Sequence, residues 1–147
     1  MKLLPSPATL PYPSPMETMW PPFTAQVVSG SRRGRTLGYP TLNLSLEALP
    51  STLLQGIYAC RARVHSMNAW IDAVMHFGPR PVFQDTETCE VHLLDTSLPS
   101  PPSSLEVSVL ERIRDVADFP SQEALKQQII CDIETARAIL ARHPLPR

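Results

Sequence analysis

Two short segments of this sequence carry side chains that could do chemistry. The first, GSRRGRTLGYPTLN from Gly30 to Asn43, combines three glycines with three arginines, and bare glycine N–H groups can approach a phosphate. An ordinary basic turn between strands has the same composition. Within the segment, Thr41 and Asn43 stand two residues apart, so an extended chain presents both oxygens on one side, where a hard cation could bind. A Pro-Thr strand start before an Asn turn also explains this pair.

The second segment is CEVHLLD, from Cys89 to Asp95, in which Glu90 and His92 share one face of a predicted strand. A carboxylate beside a metal-bound phosphate could accept the proton of a substrate hydroxyl as a general base. A solvated strand face is the alternative explanation. Metal binding by His92 and Cys89 is less favoured, because Cys89 would face away.

Composition excludes several classes of protein. Thirteen Lys plus Arg against fourteen Asp plus Glu give a net charge of -1, which favours neither nucleic acid nor an anionic membrane. No apolar run approaches the roughly 20 residues of a transmembrane helix, and prolines interrupt any signal peptide. The three cysteines lack the spacing of a zinc site or disulfide framework, so we expect them to be reduced and mostly buried. A cytoplasmic monomer is the expectation.

The elements that must position these side chains follow a Pro-rich start. Seven of the seventeen prolines lie in residues 1–22, which we interpret as a flexible leader before one domain at 23–142. In GIYACRARV the even-numbered side chains from Tyr58 to Val64 form the more apolar face, so we expect them inside while the other face meets water. Five runs rich in β-branched and aromatic residues are predicted strands: Phe23 to Val28, Gly56 to Val64, Trp70 to Phe77, Thr88 to Leu94 and Leu105 to Ile113.

The end of the chain has a helical pattern. Ser121 is a predicted N-cap, and apolar residues recur at helical spacing after it. No helical pattern separates the strands, so antiparallel pairing is favoured. The sequence therefore predicts a mainly β protein: a small barrel of five or six strands with one C-terminal α-helix packed outside it.

Together these residues resemble the riboflavin kinase family. The resemblance covers about residues 23–140, in family order, through GRTLGYPTLNL, LPSTLLQGIYAC, AVMHFGPRPVF, CEVHLLD and RIRDVADFPSQEALKQQIICDI. It implies a closed antiparallel Greek-key β-barrel with a C-terminal helix. It also implies transfer of the ATP γ-phosphoryl group to riboflavin, giving FMN and ADP. With no room for the family's adenylyltransferase domain, a stand-alone kinase is expected.

The resemblance also implies roles for individual residues. Glu90 would be the general base, Thr41 and Asn43 would coordinate Mg²⁺, and Arg114 would bind the flavin. The expected ATP-binding residues are Gly30, Gly34, Arg35, Thr41, His92 and Asp95.

Two other functions are compatible with the sequence. TSLPSPPSS at Thr96 to Ser104, together with Val82 and Val116, departs from the family pattern and would suit a flavin- or nucleotide-binding relative with weak or absent catalysis. A small β-barrel interaction module is the third hypothesis. Its partner would bind the Pro-rich leader or loop, because such segments form polyproline II ligands.

Overall fold

The computed structural model describes residues 20–28, 41–79 and 87–145. Six strands and one α-helix occur in these ranges, with a single 3₁₀ turn at Leu46–Ala48. The strands coincide with the predicted runs to within two residues, and a short strand after Thr41 is added to them. The elements are β1 (Phe23–Val28), β2 (Leu42–Leu44), β3 (Gly56–Arg63), β4 (Trp70–Pro79), β5 (Glu87–Leu93), β6 (Ser104–Arg114) and α1 (Gln122–Ala141).

The six strands form a closed barrel in the order β1-β2-β5-β4-β3-β6. Every neighbouring pair is antiparallel. Strands β3, β4 and β5 follow one another as hairpins, and β2 lies beside β5, which is the Greek-key arrangement. The predicted fold class is confirmed. Among the described residues the six strands close on one another, so each strand has a neighbour on both sides.

The barrel interior is filled by alternate side chains of the strands. Tyr58, Cys60 and Ala62 point inward from β3, as the sequence pattern predicted, and each is completely buried. Tyr58 is the largest of them, and its hydroxyl donates to the Leu54 carbonyl at 2.5 Å, which satisfies a polar group at the rim of an apolar core. The other strands contribute Ala25, Leu44, Ile71, Ala73, Met75, Cys89, Val91, Leu93, Leu105, Val107 and Val109.

The prediction that the opposite face of β3 meets water is wrong. Ile57 and Ala59 are buried beneath α1, and Arg61 is only 5% exposed. The sequence pattern misleads here because two arginines on alternate positions resemble a solvated face. In the structure Arg63 remains partly exposed at the end of the strand, whereas Arg61 lies under the helix. Strand β3 is therefore buried on both faces.

Helix α1 begins as predicted. The Ser121 hydroxyl accepts a hydrogen bond from the Ala124 N–H at 3.0 Å, so Ser121 is the N-cap. The buried stripe of the helix includes Ala136, Ile139 and Leu140. It packs on Ile57 and Ala59 outside the barrel, which confirms the predicted position of the helix. One member of the stripe is a charge that the pattern did not predict, Asp132, which is 4% exposed.

Strand β6 contains two β-bulges that place apolar side chains beneath the helix. Its register with β3 shifts between Ile57 and Tyr58 and again between Ala59 and Cys60, so β6 has an extra residue at each place. The extra residues lie at Leu110 and Ile113, and both pack in the cluster beneath α1. The bulges therefore place more apolar surface under the helix than simple alternation would.

Four charged contacts fasten α1 to the barrel. The Arg61 guanidinium donates to Asp72 at 2.9 Å, to the Leu140 carbonyl at 3.0 Å and to the His143 carbonyl, at the C-terminal end of the helix. The other three join side chains: Arg114 with Asp132, Arg137 with Asp95, and both Arg142 and His143 with Glu111.

The three cysteines are free thiols, as expected. Cys60 and Cys89 are buried inside the barrel, where burial raises the pKa of both thiols, that of Cys89 to about 12. Cys131 is exposed on α1. The division of the chain after residue 22 stays a prediction. Before that boundary, Trp20 already makes an edge-to-face contact with Tyr58 at a centroid distance of 5.9 Å.

Asp132→Asn should lower the free energy of unfolding by about 1–3 kcal/mol. It removes the counter-charge of Arg114, whose side chain is only 23% exposed, and a charge left partly buried is costly. Arg137→Gln is the matched control, because it breaks an exposed helix-to-barrel pair and should cost less than about 1 kcal/mol. Urea unfolding followed by circular dichroism measures both. Equal losses would contradict the dependence on burial.

Candidate active site

The strand register brings two of the predicted functional residues side by side. Asn43 on β2 is directly opposite Glu90 on β5, although 47 positions separate them in the sequence. Side chains at opposed positions have Cβ atoms about 5 Å apart and point to the same face. Because Cys89 and Val91 point into the core, Asn43 and Glu90 lie on the outer face of the barrel. Both are partly buried.

Thr41 and His92 adjoin this pair. The ladder between β2 and β5 ends with Leu42 opposite Val91, and Thr41 is the next residue along the chain. His92 is two positions beyond Glu90 on the same face. The structure therefore brings Thr41, Asn43, Glu90 and His92 together on one patch of the outer barrel face, which we call the β2–β5 patch.

The imidazole of His92 is held in its neutral form. His92 is opposite Val74, and Val74 belongs to the cluster covered by α1. Loss of water at this position lowers the pKa of His92 from its ordinary value of 6.5 to about 4. At neutral pH the ring can thus donate one hydrogen bond and accept one, but it brings no positive charge to the patch.

Arg114 and Asp95 are both engaged with the helix. Arg114 donates to Asp132 twice, at 2.8 Å each, and its guanidinium lies over the Phe119 ring at 5.6 Å. Asp95 accepts from Arg137 at 2.7 Å and 3.0 Å. That ion pair lowers the pKa of Asp95, chiefly through the hydrogen bond. The backbone of Asp95 is left-handed, with a φ of 56°.

Three of the predicted ATP-binding residues, Gly30, Gly34 and Arg35, lie outside the described residues. Val82 lies outside them as well, whereas Val116 is described. Val116 packs against Gly78, where a Cβ would lie 2.9 Å from the Val116 Cγ2 atom. The φ of Gly78 is +148°, a backbone conformation that residues with a side chain rarely adopt. Both this conformation and the lack of space for a Cβ atom therefore favour glycine.

One residue of this face was missed by sequence reasoning. His76 on β4 is directly opposite Glu90, on the side away from Asn43. Sequence alternation places His76 on the outer face of β4, but only the register between β4 and β5 puts it beside Glu90. Both of its ring nitrogens are shielded from solvent. Glu90 is thus flanked by an amide on one strand and by an imidazole on the other.

The donor atoms of the β2–β5 patch determine what it can bind. A threonine hydroxyl and an asparagine amide supply neutral oxygen ligands, which hard cations such as Mg²⁺ accept. No cluster of three His, Cys, Asp or Glu side chains suited to a metal occurs among the residues that the structure describes. The carboxylate of Glu90 lies opposite the amide on the same face, so a group able to accept a proton is next to a group able to bind a cation.

Comparison with known families identifies a match over most of the chain. Residues 20–140 match the family model for flavokinase, described as riboflavin kinase. The bifunctional riboflavin kinase/FMN adenylyltransferase of Haemophilus influenzae is 36% identical over 114 residues, and that of Escherichia coli is 33% identical over 116 residues. These matches cover 77% and 78% of this chain but 36% of each relative, so the chain spans about a third of their length.

Solved structures give the same fold. A macrolide-efflux protein from Streptococcus pneumoniae superposes with a TM-score of 0.68 and 32% identity, over 79% of this chain and 38% of that one. Riboflavin kinase from Trypanosoma brucei superposes with a TM-score of 0.54 over 82% of this chain and 79% of that one. At 21% identity the second comparison supports the fold alone. In the described part of the chain, no helix has the length and apolar character to span a membrane.

Acid should destabilise the protein through His92. Since the pKa of His92 is about 4 when folded and 6.5 ordinarily, the unfolded chain binds more protons between these values. The free energy of unfolding should therefore fall as the pH is lowered from about 7 to about 4. Urea midpoints across this range should fall less for His92→Gln than for the wild type. His65→Gln is the control, because His65 is exposed; an identical fall in His92→Gln would contradict the assignment.

Proposed function

This chain belongs to the riboflavin kinase family, and on that premise we propose that it transfers the γ-phosphoryl group of ATP to the ribityl 5′-hydroxyl of riboflavin. The products are FMN and ADP. The observation that carries the proposal is the pairing of Asn43 with Glu90, which joins the expected cation ligand to the expected base on one face. Phosphoryl transfer needs chiefly such positioning, with a cation at the phosphates and an oriented hydroxyl.

In this proposal the side-chain oxygens of Thr41 and Asn43 would hold Mg²⁺. Magnesium is bound in proteins through few protein ligands together with substrate phosphates, which suits two neutral side chains. When bound, the cation offsets the negative charge of the phosphates. Thr41 directly precedes the short strand β2, so the ladder between β2 and β5 restricts its position relative to Glu90.

Glu90 acts as the general base. Its carboxylate accepts the proton of the ribityl hydroxyl, the hydroxyl oxygen forms a bond to the γ-phosphorus, and the bond from that phosphorus to the β,γ-bridging oxygen breaks as ADP leaves. His92, neutral at pH 7, can accept or donate a hydrogen bond to the nucleotide without adding charge. Within this pair, Glu90 is therefore the proposed proton acceptor.

The remaining assignments are part of the same proposal. Gly30, Gly34 and Arg35 contact the nucleotide, and Asp95 lies near it. Arg114 contacts the flavin, beside the start of α1. Because Arg114 and Asp95 already pair with helix residues, any substrate contact shares side chains that also hold the helix. A monomer in the cytoplasm remains the prediction from sequence.

Glu90→Gln should lower turnover about 10²- to 10⁴-fold, because it removes the proton acceptor while keeping the size of the side chain. Riboflavin, ATP and Mg²⁺ are mixed with the protein, and riboflavin, FMN and FAD are separated by chromatography. Glu106→Gln is the control, since Glu106 pairs with Arg63 on another part of the outer face. FMN formation by Glu90→Gln at the wild-type rate would remove Glu90 from this role. A folded wild type that binds flavin and makes no FMN would favour the non-catalytic relative.

Asn43→Ala should weaken Mg²⁺-dependent ATP binding by about tenfold or more while leaving riboflavin binding within about twofold, because it removes a cation ligand. Calorimetry with ATP in the presence and absence of Mg²⁺, and quenching of flavin fluorescence, measure the two affinities. Thr24→Ala tests for a general effect, since Thr24 is exposed on the neighbouring strand β1. If Asn43→Ala lowered the affinities for ATP and for riboflavin equally, the fold would be disturbed, and the role of Asn43 as a cation ligand would be contradicted.

A further inference from the structure

Arg114, the expected flavin contact, is held in place by side chains of helix α1. Its Nε and Nη2 atoms donate to the two carboxylate oxygens of Asp132, each at 2.8 Å. The same carboxylate accepts a hydrogen bond from the Gln128 Nε2 atom at 3.0 Å. Asp132 is buried and Arg114 is largely so, which strengthens these contacts because little water competes for them. The guanidinium is therefore fixed along one edge by a buried carboxylate that has its own support.

Two further contacts restrict the plane of the guanidinium. The Nη1 atom of Arg114 donates to the Asp115 carbonyl at 2.9 Å. The guanidinium also lies over the Phe119 ring, with 5.6 Å between its Cζ atom and the ring centroid. Asp115 and Phe119 belong to the connection between β6 and α1. The side chain is thus restrained from the connection as well as from the helix.

These contacts leave part of the guanidinium available to a ligand. A guanidinium has five N–H groups in one plane. Among the residues that the structure describes, Asp132 and Asp115 use three of them, which leaves one N–H on Nη1 and one on Nη2. Two such donors match a planar group that presents two acceptors side by side. The flavin ring presents acceptors of this kind, since its carbonyl oxygens adjoin unprotonated ring nitrogens.

The distance between Arg114 and Glu90 fits a flavin that reaches both residues. Glu90 is opposite His76 on β4, and from there the paired positions continue through Ile57 on β3 to Arg114 on β6. Three strand spacings of about 4.8 Å separate the two residues by roughly 14 Å along the sheet. This separation is comparable with the length of riboflavin, whose terminal hydroxyl and ring carbonyls lie at opposite ends of the molecule.

We propose that Asp132, supported by Gln128, is a positioning residue for flavin binding: it holds Arg114 so that the two remaining N–H groups donate to the acceptor edge of the flavin ring. This inference rests on the proposed function and adds two residues to it. Without the carboxylate, Arg114 would have to be ordered each time a flavin binds, which lowers the affinity. The loss should fall on riboflavin and spare ATP.

Asp132→Asn tests the inference, because it keeps the size of the side chain and removes the charge that holds Arg114. It should weaken riboflavin binding about 5- to 20-fold and change ATP binding in the presence of Mg²⁺ by less than about twofold. Flavin fluorescence quenching and calorimetry measure the two affinities. Combined with Arg114→Lys, which has no planar pair of donors to hold, Asp132→Asn should cause little further loss of riboflavin affinity.

Gln128→Leu provides a second test that leaves the ion pair itself in place. It removes the hydrogen bond to the Asp132 carboxylate and should weaken riboflavin binding about two- to threefold, with ATP binding unchanged. If Asp132→Asn failed to fold, riboflavin binding by folded Gln128→Leu at the wild-type affinity would overturn the inference. A loss confined to riboflavin would support it.

Ile139→Val is the matched control for a merely structural effect. Ile139 is buried in the cluster between α1 and the barrel, so the substitution should lower the urea midpoint without altering the contacts of Arg114. Its riboflavin affinity should stay within about twofold of the wild-type value. If riboflavin affinity fell with the urea midpoint alike in Ile139→Val and Asp132→Asn, the inference would be overturned. Equal losses of riboflavin and ATP in Asp132→Asn would overturn it too.

Two further ligands establish which part of the flavin Arg114 contacts. Lumiflavin has the same ring with a methyl group in place of the ribityl chain, and Asp132→Asn should weaken its binding by about the same factor as that of riboflavin. A loss seen only with FMN would place the phosphate at Arg114 and overturn the assignment to the ring. FMN formation by the wild type is measured separately. Its absence, together with the expected riboflavin losses, would overturn the proposed reaction and still support the role of Asp132 in flavin binding.

Discussion

The burial of one guanidinium governs how this protein is assembled. Arg61 points outward from a central strand, and a charge at that position can be covered only if its donors are all directed to acceptors. Asp72 supplies one acceptor from the neighbouring strand, and the carbonyls of Leu140 and His143 supply others from the end of α1. Arg61 thereby caps the helix end, adding to the hydrogen bond that the His143 N–H donates to the Leu140 carbonyl. The contact joins the end of the helix to β3 and β4.

The site depends on that arrangement through the register of the sheet. A shift of one residue between β2 and β5 would turn Asn43 toward the core and separate it from Glu90. The register is held by the inward side chains, by barrel closure and by the helix that covers β3, β4 and β6. The geometry of the polar patch is therefore a property of the whole barrel. Its side chains come from separate parts of the chain and become neighbours only when the barrel closes.

Sequence patterns predicted the elements better than the contacts between them. Alternation identified the inward face of β3, and helical spacing with Ser121 identified α1, because these signals are local. The burial of Arg61 and Asp132 was not predictable, since a charge that meets a distant partner has the same local pattern as one in water. The position of His76 was missed for a related reason, because neither its strand pattern nor its motif specifies the opposing residue. Gly30, Gly34 and Arg35 remain predictions.

The three cysteines allow opening of the barrel to be followed by thiol alkylation. Cys60 and Cys89 are enclosed by the barrel, and burial raises the pKa of both thiols. Alkylating reagents that need a thiolate should therefore react with them slowly while the barrel is closed. Cys131 stands in solvent on the helix and will react first. Cys131 can thus be labelled in the folded protein, whereas alkylation of Cys60 and Cys89 should require the strands to separate. The mass added over time would report how often the barrel opens, with no change to the sequence.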